Sequence, residues 1–186
     1  MAITKKTTMT GDIFSGISAV YAVADGFTGS AEEGGYDFSS ATEFPVSDES
    51  GFNFDTGAPS VDHFKVKGLA TDWVNTFTPG DGEITLEIPC NNTGIMEMVF
   101  GQSGTNTSVK IDTGTYTGKG YHAAQKAVYL GLVVLSDTED KLLFIKRAKL
   151  MAQVIFDGSN KPLCVVLTGA LASADNDSIA ICQAPA

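Results

Sequence analysis

The chain has 186 residues, of which 12 are basic and 22 acidic, so its formal net charge is −10. This length favours one domain with a sizeable core, and a hydrophobic content of 43% excludes a compositionally disordered chain. The acid excess argues against a protein that grips nucleic-acid phosphates, because that affinity comes from lysine and arginine. No apolar run approaches the ~18 residues that a membrane-spanning helix needs.

The charge is unevenly distributed along the chain. Residues 1–60 carry a net charge of −7, whereas residues 119–160 carry six bases against four acids. The first sixty residues are also rich in loop-forming residue types. We therefore predict a single domain over residues 1–186, with an acidic, loop-rich arm over 1–55 and a β core over 56–186.

The N-terminal part contains one clear strand signal. The apolar run Ile17–Ala24 predicts a strand, and the Gly-, Ser- and acid-rich run Asp25–Gly35 predicts a loop. Residues 38–54 mix aromatic and acidic side chains. Because a structureless loop of that length is uncommon inside a compact domain, this segment is expected to be a hairpin or an arm that another chain completes.

Two alternating segments follow. Within residues 61–67, Phe64 and Val66 alternate with polar neighbours, and Glu83–Ile88 places apolar side chains at every second position. Both are patterns of a half-buried strand. The run Pro79–Gly82 between them is a turn signal, and Pro89 ends the second strand because proline has no N–H to donate to a neighbouring strand.

A short helix is predicted next. The run Asn91–Thr93 offers N-cap side chains, and Ile95, Met98 and Val99 recur at helical spacing. Gly101 occupies the place of a C-cap glycine. The segment therefore predicts about two turns of amphipathic helix, which packing must stabilise.

The C-terminal half is typical of β structure. Its run Lys126–Leu135 is apolar on both faces, which predicts a central buried strand. Three further strands are predicted at Lys141–Gln153, Leu163–Thr168 and Ser178–Cys182. Two turns are predicted between them, at Asp137–Asp140 and Asp157–Asn160. The expected fold is mainly β, sandwich- or barrel-like, with one short flanking helix and an extended N-terminal or loop arm.

Signatures of catalysis are missing from the sequence. It has no nucleophile elbow, no phosphate-binding glycine loop and no dinucleotide fingerprint. His63 and His122 are far apart, and the three widely spaced cysteines match neither a disulfide framework nor a zinc site. The missing signatures shift the balance from catalysis to binding or assembly, and no catalytic residue or metal site is predicted.

Three pieces of the chain carry a family resemblance. The first is Phe64–Gly68, followed by Thr78–Pro89 and the short helix ending at Gly101. The second is Leu130–Asp137, a turn and Lys141–Leu150, and the third is Phe156–Pro162 leading into Val165–Leu171. This order of elements, over roughly residues 55–182, resembles the major tail tube proteins of long-tailed bacteriophages.

The resemblance implies a structural role without catalysis or cofactor. In that family six copies form a ring, and rings stack into a tube that conducts the phage genome. The implied partners are other copies of the chain and the tape-measure, tail terminator and baseplate or tip proteins. The implied location is the virion tail, assembled in the host cytoplasm, with no membrane contact. An acidic bore would let DNA pass without specific binding, because it repels phosphates.

The charge pattern also suggests a contact between copies. We expect the acidic segment Asp37–Asp55 of one copy to meet the basic strand around Lys146–Lys149 of another, since such pairs fix register. The predicted interface residues are Phe44, Asp48, Glu49, Phe52, Phe54, Lys146, Arg147 and Lys149.

Two other functions fit the sequence. The chain could be a different virion assembly protein, such as a capsid decoration or head–tail connector protein, which forms caps or single rings. It could instead be a β-sandwich carbohydrate-binding module that uses Trp73 as a stacking surface. Self-assembly into long tubes separates the tail tube from both.

Overall fold

The computed structural model describes residues 14–28, 35–36, 38–46, 51–64, 67–68, 74–89, 92–122, 126–156, 158, 162–172 and 178–184. These residues confirm a mainly β fold with one short helix. The described elements are β1 (Ala19–Ala24), β2 (Thr42–Phe44), β3 (Phe52–Asp55), β4 (Ser60–Phe64), β5 (Val74–Thr78), β6 (Glu83–Ile88), α1 (Thr93–Phe100), β7 (Thr105–Ile111), β8 (Gly114–Gly120), β9 (Ala127–Leu135), β10 (Lys141–Ile155), β11 (Cys164–Leu171) and β12 (Ile179–Gln183).

Eight of the described strands form one antiparallel sheet around β10. The strand order is β2-β1-β9-β10-β11-β6-β3, and β12 also pairs with β10. One edge of β10 pairs with β9, and the other pairs with β12 along Lys141–Ile145 and with β11 along Ala148–Ile155. The 15-residue strand β10 therefore joins the two halves of the sheet.

A β-bulge divides β10 between these halves. The register with β9 shifts between Ile145 and Ala148, so both side chains face the core although they lie an odd number of positions apart. The carbonyls of Lys146 and Arg147 accept hydrogen bonds from the backbone N–H groups of Phe27 and Ala172, at 3.0 and 2.9 Å. The bulge is therefore held by backbone from two other parts of the chain.

The main core lies on one face of the sheet and is closed by the helix. Its buried side chains come from six strands and α1, and they are Val20, Ala22, Phe44, Ile84, Leu86, Ile88, Ile95, Val99, Val128, Leu130, Leu132, Val134, Ile145, Ala148, Leu150, Ala152, Val165 and Leu167. Burial of each large aliphatic side chain contributes about 1.5–3 kcal/mol. This cluster is the principal source of stability that the fold offers.

A smaller cluster covers part of the opposite face. Val23, Phe27, Val133 and Phe144 are buried together there, and the ring of Tyr36 stacks on that of Phe144 with centroids 4.4 Å apart. The sheet is thus covered on both faces around β1, β9 and the first half of β10. This double coverage explains why β9 is apolar on both faces, as the sequence predicts.

The predicted helix is confirmed at both ends. The Asn92 carboxamide oxygen accepts from the N–H groups of Gly94 and Ile95, at 2.9 and 3.4 Å. Gly101 closes the helix in the left-handed conformation with φ 59°. Ile95 and Val99 are buried, so packing holds this eight-residue helix against the sheet.

The acidic segment 1–55 contributes three strands, β1, β2 and β3, to the main sheet. The expected hairpin over residues 38–54 is not formed, because β2 and β3 lie at opposite ends of the strand order. β2 pairs with β1, and β3 pairs with β6. The physical reason is that the apolar side chains of this segment, Phe44 among them, complete the core of their own chain.

Candidate assembly surfaces

Two hairpins lie outside the main sheet. We call β4–β5 the first ribbon and β7–β8 the second ribbon, and in the described part of the chain each pairs only with itself. Every described side chain of the first ribbon is exposed, as are nearly all those of the second. A two-stranded hairpin is at best marginally stable in water. Both ribbons therefore lack the packing that stabilises the sheet.

The first ribbon continues the β3–β6 pair through a glycine joint. Residues 56–59 and 79–82 run so close together that a Cβ at Gly80 would lie 2.4 Å from the Ala58 carbonyl oxygen. A Cβ at Gly57 would lie 2.5 Å from the Asp81 carbonyl oxygen, and Gly57 has φ +80°. Glycine is thus required on both sides of the joint. The joint carries the chain out of the sheet and back.

The first ribbon presents an apolar pair on one face and a polar pair on the other. Val61 is paired with Phe77, and their side chains are 37% and 70% exposed. Asp62 is paired with Thr76 on the opposite face, because side chains alternate along a strand. The described side chains on both faces are exposed in the single chain.

The root of the second ribbon is fixed to the helix. The Gly104 N–H donates to the Glu97 carboxylate at 3.0 Å, and the Tyr121 ring stacks on Phe100 with centroids 5.3 Å apart. The Tyr121 hydroxyl donates to the Thr93 carbonyl oxygen at 3.4 Å. Burial, and secondarily the negative charge of Glu97, raises the pKa of Tyr121, so it stays a neutral donor. The ribbon is therefore held in place at its base.

The second ribbon is also two-faced. Val109 is paired with Tyr116 and Ile111 with Gly114, and the three large side chains are 52%, 67% and 56% exposed in the order Val109, Tyr116, Ile111. A Cβ at Gly118 on the same face would meet nothing within 4 Å. The opposite face is polar and basic, with Asn106, Ser108, Lys110, Thr115, Thr117 and Lys119.

The two ribbons are rooted at opposite ends of the same strands. The first ribbon begins beyond the end of β6 at which Ile84 lies. Ile84 pairs with Gly169 of β11, and Gly169 pairs in turn with Leu150 of β10. The root of the second ribbon borders a cleft that is also lined by Val154 of β10. Val154 pairs with Val165 of β11, which pairs in turn with Ile88 at the other end of β6. Ile84 and Ile88 are therefore about 14 Å apart along the strand, at ~3.4 Å per residue.

The structure places the predicted interface residues in different environments. Phe44 is buried in the core and is not part of the surface, while Phe52 and Phe54 on β3 pack half-buried against that core. Asp48 and Glu49 lie outside the described residues. The interface set as a whole stays a prediction. Its aromatic side chains are less exposed than expected, because Phe44 is buried and Phe52 and Phe54 are half-buried.

The basic part of that set lies at the bulge. The Lys146 ammonium is 5.8 Å from the centre of the Tyr36 ring, and the Arg147 guanidinium is 4.1 Å from the centre of the Tyr129 ring. Such cation–π contacts fix both side chains within their own copy. Lys149 is exposed on the outer face of the sheet. It is therefore the basic residue best placed to contact another copy.

A polar network closes the turn between β9 and β10. The Asp140 carboxylate accepts hydrogen bonds from the Thr138 hydroxyl, from the Lys141 ammonium at 3.2 Å and from the Ser136 hydroxyl at 3.3 Å. These hydrogen bonds, with that of Thr138 first, lower the pKa of Asp140. The buried Lys141 thereby keeps a charged partner, so this turn is a structural feature.

Open clefts of about 400 and 430 Å³ lie among the described residues. Those residues contain no group of three His, Cys, Asp or Glu side chains that could hold a metal. Cys164 is buried and Cys182 exposed. Trp73, proposed as a sugar-stacking residue, lies outside the described residues.

No protein-family model and no curated protein matches the sequence. Within the described part of the chain, no helix has the length and apolar character needed to cross a membrane.

Sequence reasoning missed β5 and the whole second ribbon. A signal for the ribbon was available, because Thr105, Thr107, Val109 and Ile111 alternate with polar residues and end at a two-residue turn before Gly114. The alternation is weak in hydrophobicity, since half of it is threonine and the opposite strand is rich in glycine.

Proposed function

We propose that the chain is a structural protein of a phage tail. In this proposal it self-assembles into stacked rings, of six copies each as the family resemblance implies, that form a conduit for DNA without catalysis and without a cofactor. The observation that carries the proposal is the set of large apolar side chains that both ribbons expose, three of them on one face of the second ribbon. Such faces on a monomer mark surfaces that another protein covers.

The ribbons support assembly more strongly than ligand binding. Their apolar side chains lie on projecting, two-sided elements, whereas ligand sites are usually concave. A flat or convex apolar face is instead suited to a protein partner of matching shape. Since each ribbon is exposed over most of its length, a partner can cover it as one continuous layer.

The order of elements and the charge add support for a tube. The strand β6, the short helix, the β9–β10 pair and β11, on which the resemblance rests, are present as elements, and the net charge is −10. A negatively charged conduit repels phosphates, so DNA can slide through it. The proposed partners beyond further copies are the tape-measure, tail terminator and baseplate or tip proteins.

Negative-stain microscopy of the purified chain over a concentration series tests this function. The proposal predicts rings at low concentration and tubes of constant bore at high concentration. A chain that stays monomeric throughout would contradict it. Caps or single rings that never stack would favour a capsid decoration or head–tail connector protein instead.

A further inference from the structure

The first ribbon and the β3–β6 pair are two parts of one long hairpin. Asp55 pairs with Glu83 at the end of one part, and Ser60 pairs with Thr78 at the start of the other. Each strand has four residues between these pairs, so the register is unchanged across the glycine joint. We infer that this joint is a hinge, about which the first ribbon pivots as a rigid arm relative to the main sheet.

Two prolines face each other in the joint and remove one pair of hydrogen bonds. The Glu87 N–H donates to the Gly51 carbonyl oxygen at 2.7 Å, so these two residues form a hydrogen-bonded pair. Such pairs recur at every second position of an antiparallel ladder. Counting by twos along the unchanged register leads to Pro59 opposite Pro79. Neither proline has an N–H to donate, so both hydrogen bonds of that pair are impossible.

The preceding hydrogen-bonded position of the joint, Gly57 opposite Asp81, is broken in another way. The Gly57 N–H donates to the Asp55 carboxylate of its own strand at 2.8 Å, and not to the Asp81 carbonyl oxygen. Among the described backbone hydrogen bonds, none joins the two sides of the joint. Two successive hydrogen-bonded pairs are therefore missing where the sheet passes into the first ribbon.

The glycines of the joint let the two strands cross without side chains between them. A Cβ at Gly82 would lie 2.9 Å from the Asp55 carbonyl oxygen, and the closer approaches at Gly57 and Gly80 are given above. Glycine has the widest choice of backbone dihedral angles. Hinges are built from a few residues at the ends of elements that absorb such dihedral changes. The joint thus combines missing hydrogen bonds with the residues best able to turn.

The two ribbons differ in how they are attached. Every described side chain of the first ribbon is exposed, and the described core clusters include no residue of β4 or β5. The second ribbon is tied at its root by the hydrogen bond from Gly104 to Glu97 and by the stack of Tyr121 on Phe100. The second ribbon therefore serves as a fixed control for the first. Because the hinge belongs to the single chain, the inference does not depend on the proposed assembly function.

Distances between pairs of spin labels test the hinge in the monomer. One pair joins position 76 on the first ribbon to position 168 on β11, and the control pair joins position 117 on the second ribbon to position 168. All three positions are exposed threonines, and labels on a non-natural amino acid leave the cysteines unchanged. The distance distribution of the first ribbon should be about twofold wider than that of the second. Equal widths would overturn the inference.

Restoring the missing donors should lock the hinge. The double variant Pro59→Thr with Pro79→Thr supplies both N–H groups, so the hydrogen-bonded pair can form across the joint. The distance distribution of the first ribbon should then narrow to the width of the second. A distribution that stays wide in this variant would overturn the assignment of the hinge to the paired prolines.

A matched control changes two prolines outside the hairpin. The double variant Pro45→Thr with Pro162→Thr adds the same two N–H groups and should leave the distribution of the first ribbon wide. Narrowing in this control would also overturn the inference. All four prolines are exposed, so an unchanged melting temperature should show that folding is retained in both variants. Since every distance is measured below the assembly concentration, failure of the hinge leaves the proposed function to its own microscopy test.

Discussion

The main sheet and the two ribbons use the same alternating pattern with different outcomes. In strand β6 of the sheet, the alternate side chains Ile84, Leu86 and Ile88 are buried against the rest of the chain. In the ribbons, the corresponding side chains, such as Val109 and Tyr116, stay exposed. The comparison teaches that alternation specifies a face to be covered but not which chain covers it. In the sheet the cover is internal, and in the ribbons we propose that it is another copy.

Truncation of a core side chain should separate the two regions most strongly. Leu132→Ala removes a fully buried side chain from the central strand, so we expect the free energy of unfolding to fall by about 2–5 kcal/mol. Tyr116→Ala in the second ribbon should change it by less than about 0.5 kcal/mol under dilute, monomeric conditions. Urea titration measures both. Equal losses would mean that the ribbon is packed within its own chain.

Two glycine substitutions sharpen the comparison with a smaller effect. A Cβ at Gly131 would lie 2.4 Å from the Phe27 ring, so Gly131→Ala should destabilise the fold by about 1–3 kcal/mol through overpacking. Gly118→Ala in the second ribbon meets open space and should be nearly neutral. Thermal unfolding of the two variants compares them directly. An unchanged melting temperature for Gly131→Ala would show that the cluster containing Phe27 is not tightly packed.

Reversal of one basic side chain should affect assembly and leave folding intact. Lys149→Glu alters an exposed residue that is part of the predicted interface, so the assembly concentration should rise while the melting temperature stays unchanged. Lys126→Glu, also exposed, provides the same charge change outside that set. Sedimentation at low and high salt distinguishes the two. Identical assembly of both variants would remove Lys149 from the interface.

The sequence predicted the parts of the fold that depend on local signals. The strand β6, the buried strand β9 and the helix with its Asn92 and Gly101 caps follow from periodicity and capping chemistry. The bulge in β10 could not be predicted, because it depends on backbone contacts with Phe27 and Ala172, which are remote in sequence. Long-range contacts of this kind leave no local pattern.

The candidate surfaces were harder to predict than the core. Phe44 was assigned to an interface because aromatic and acidic residues surround it, yet its pairing partner β1 carries it into the core. The second ribbon was missed because its apolar signal is only three large side chains among threonines and glycines. Weak alternation of this kind cannot be distinguished from a loop until the pairing of β7 with β8 is known.

Amide hydrogen exchange of the chain across its assembly transition tests the central claim most directly. Exposed hairpins open with little free-energy cost, so amides of β4, β5, β7 and β8 should exchange fast in the monomer. Upon assembly they should become protected, while the amides of β9 and β10 are protected in both states. Amide exchange rates of both ribbons that stay the same upon assembly would contradict the account.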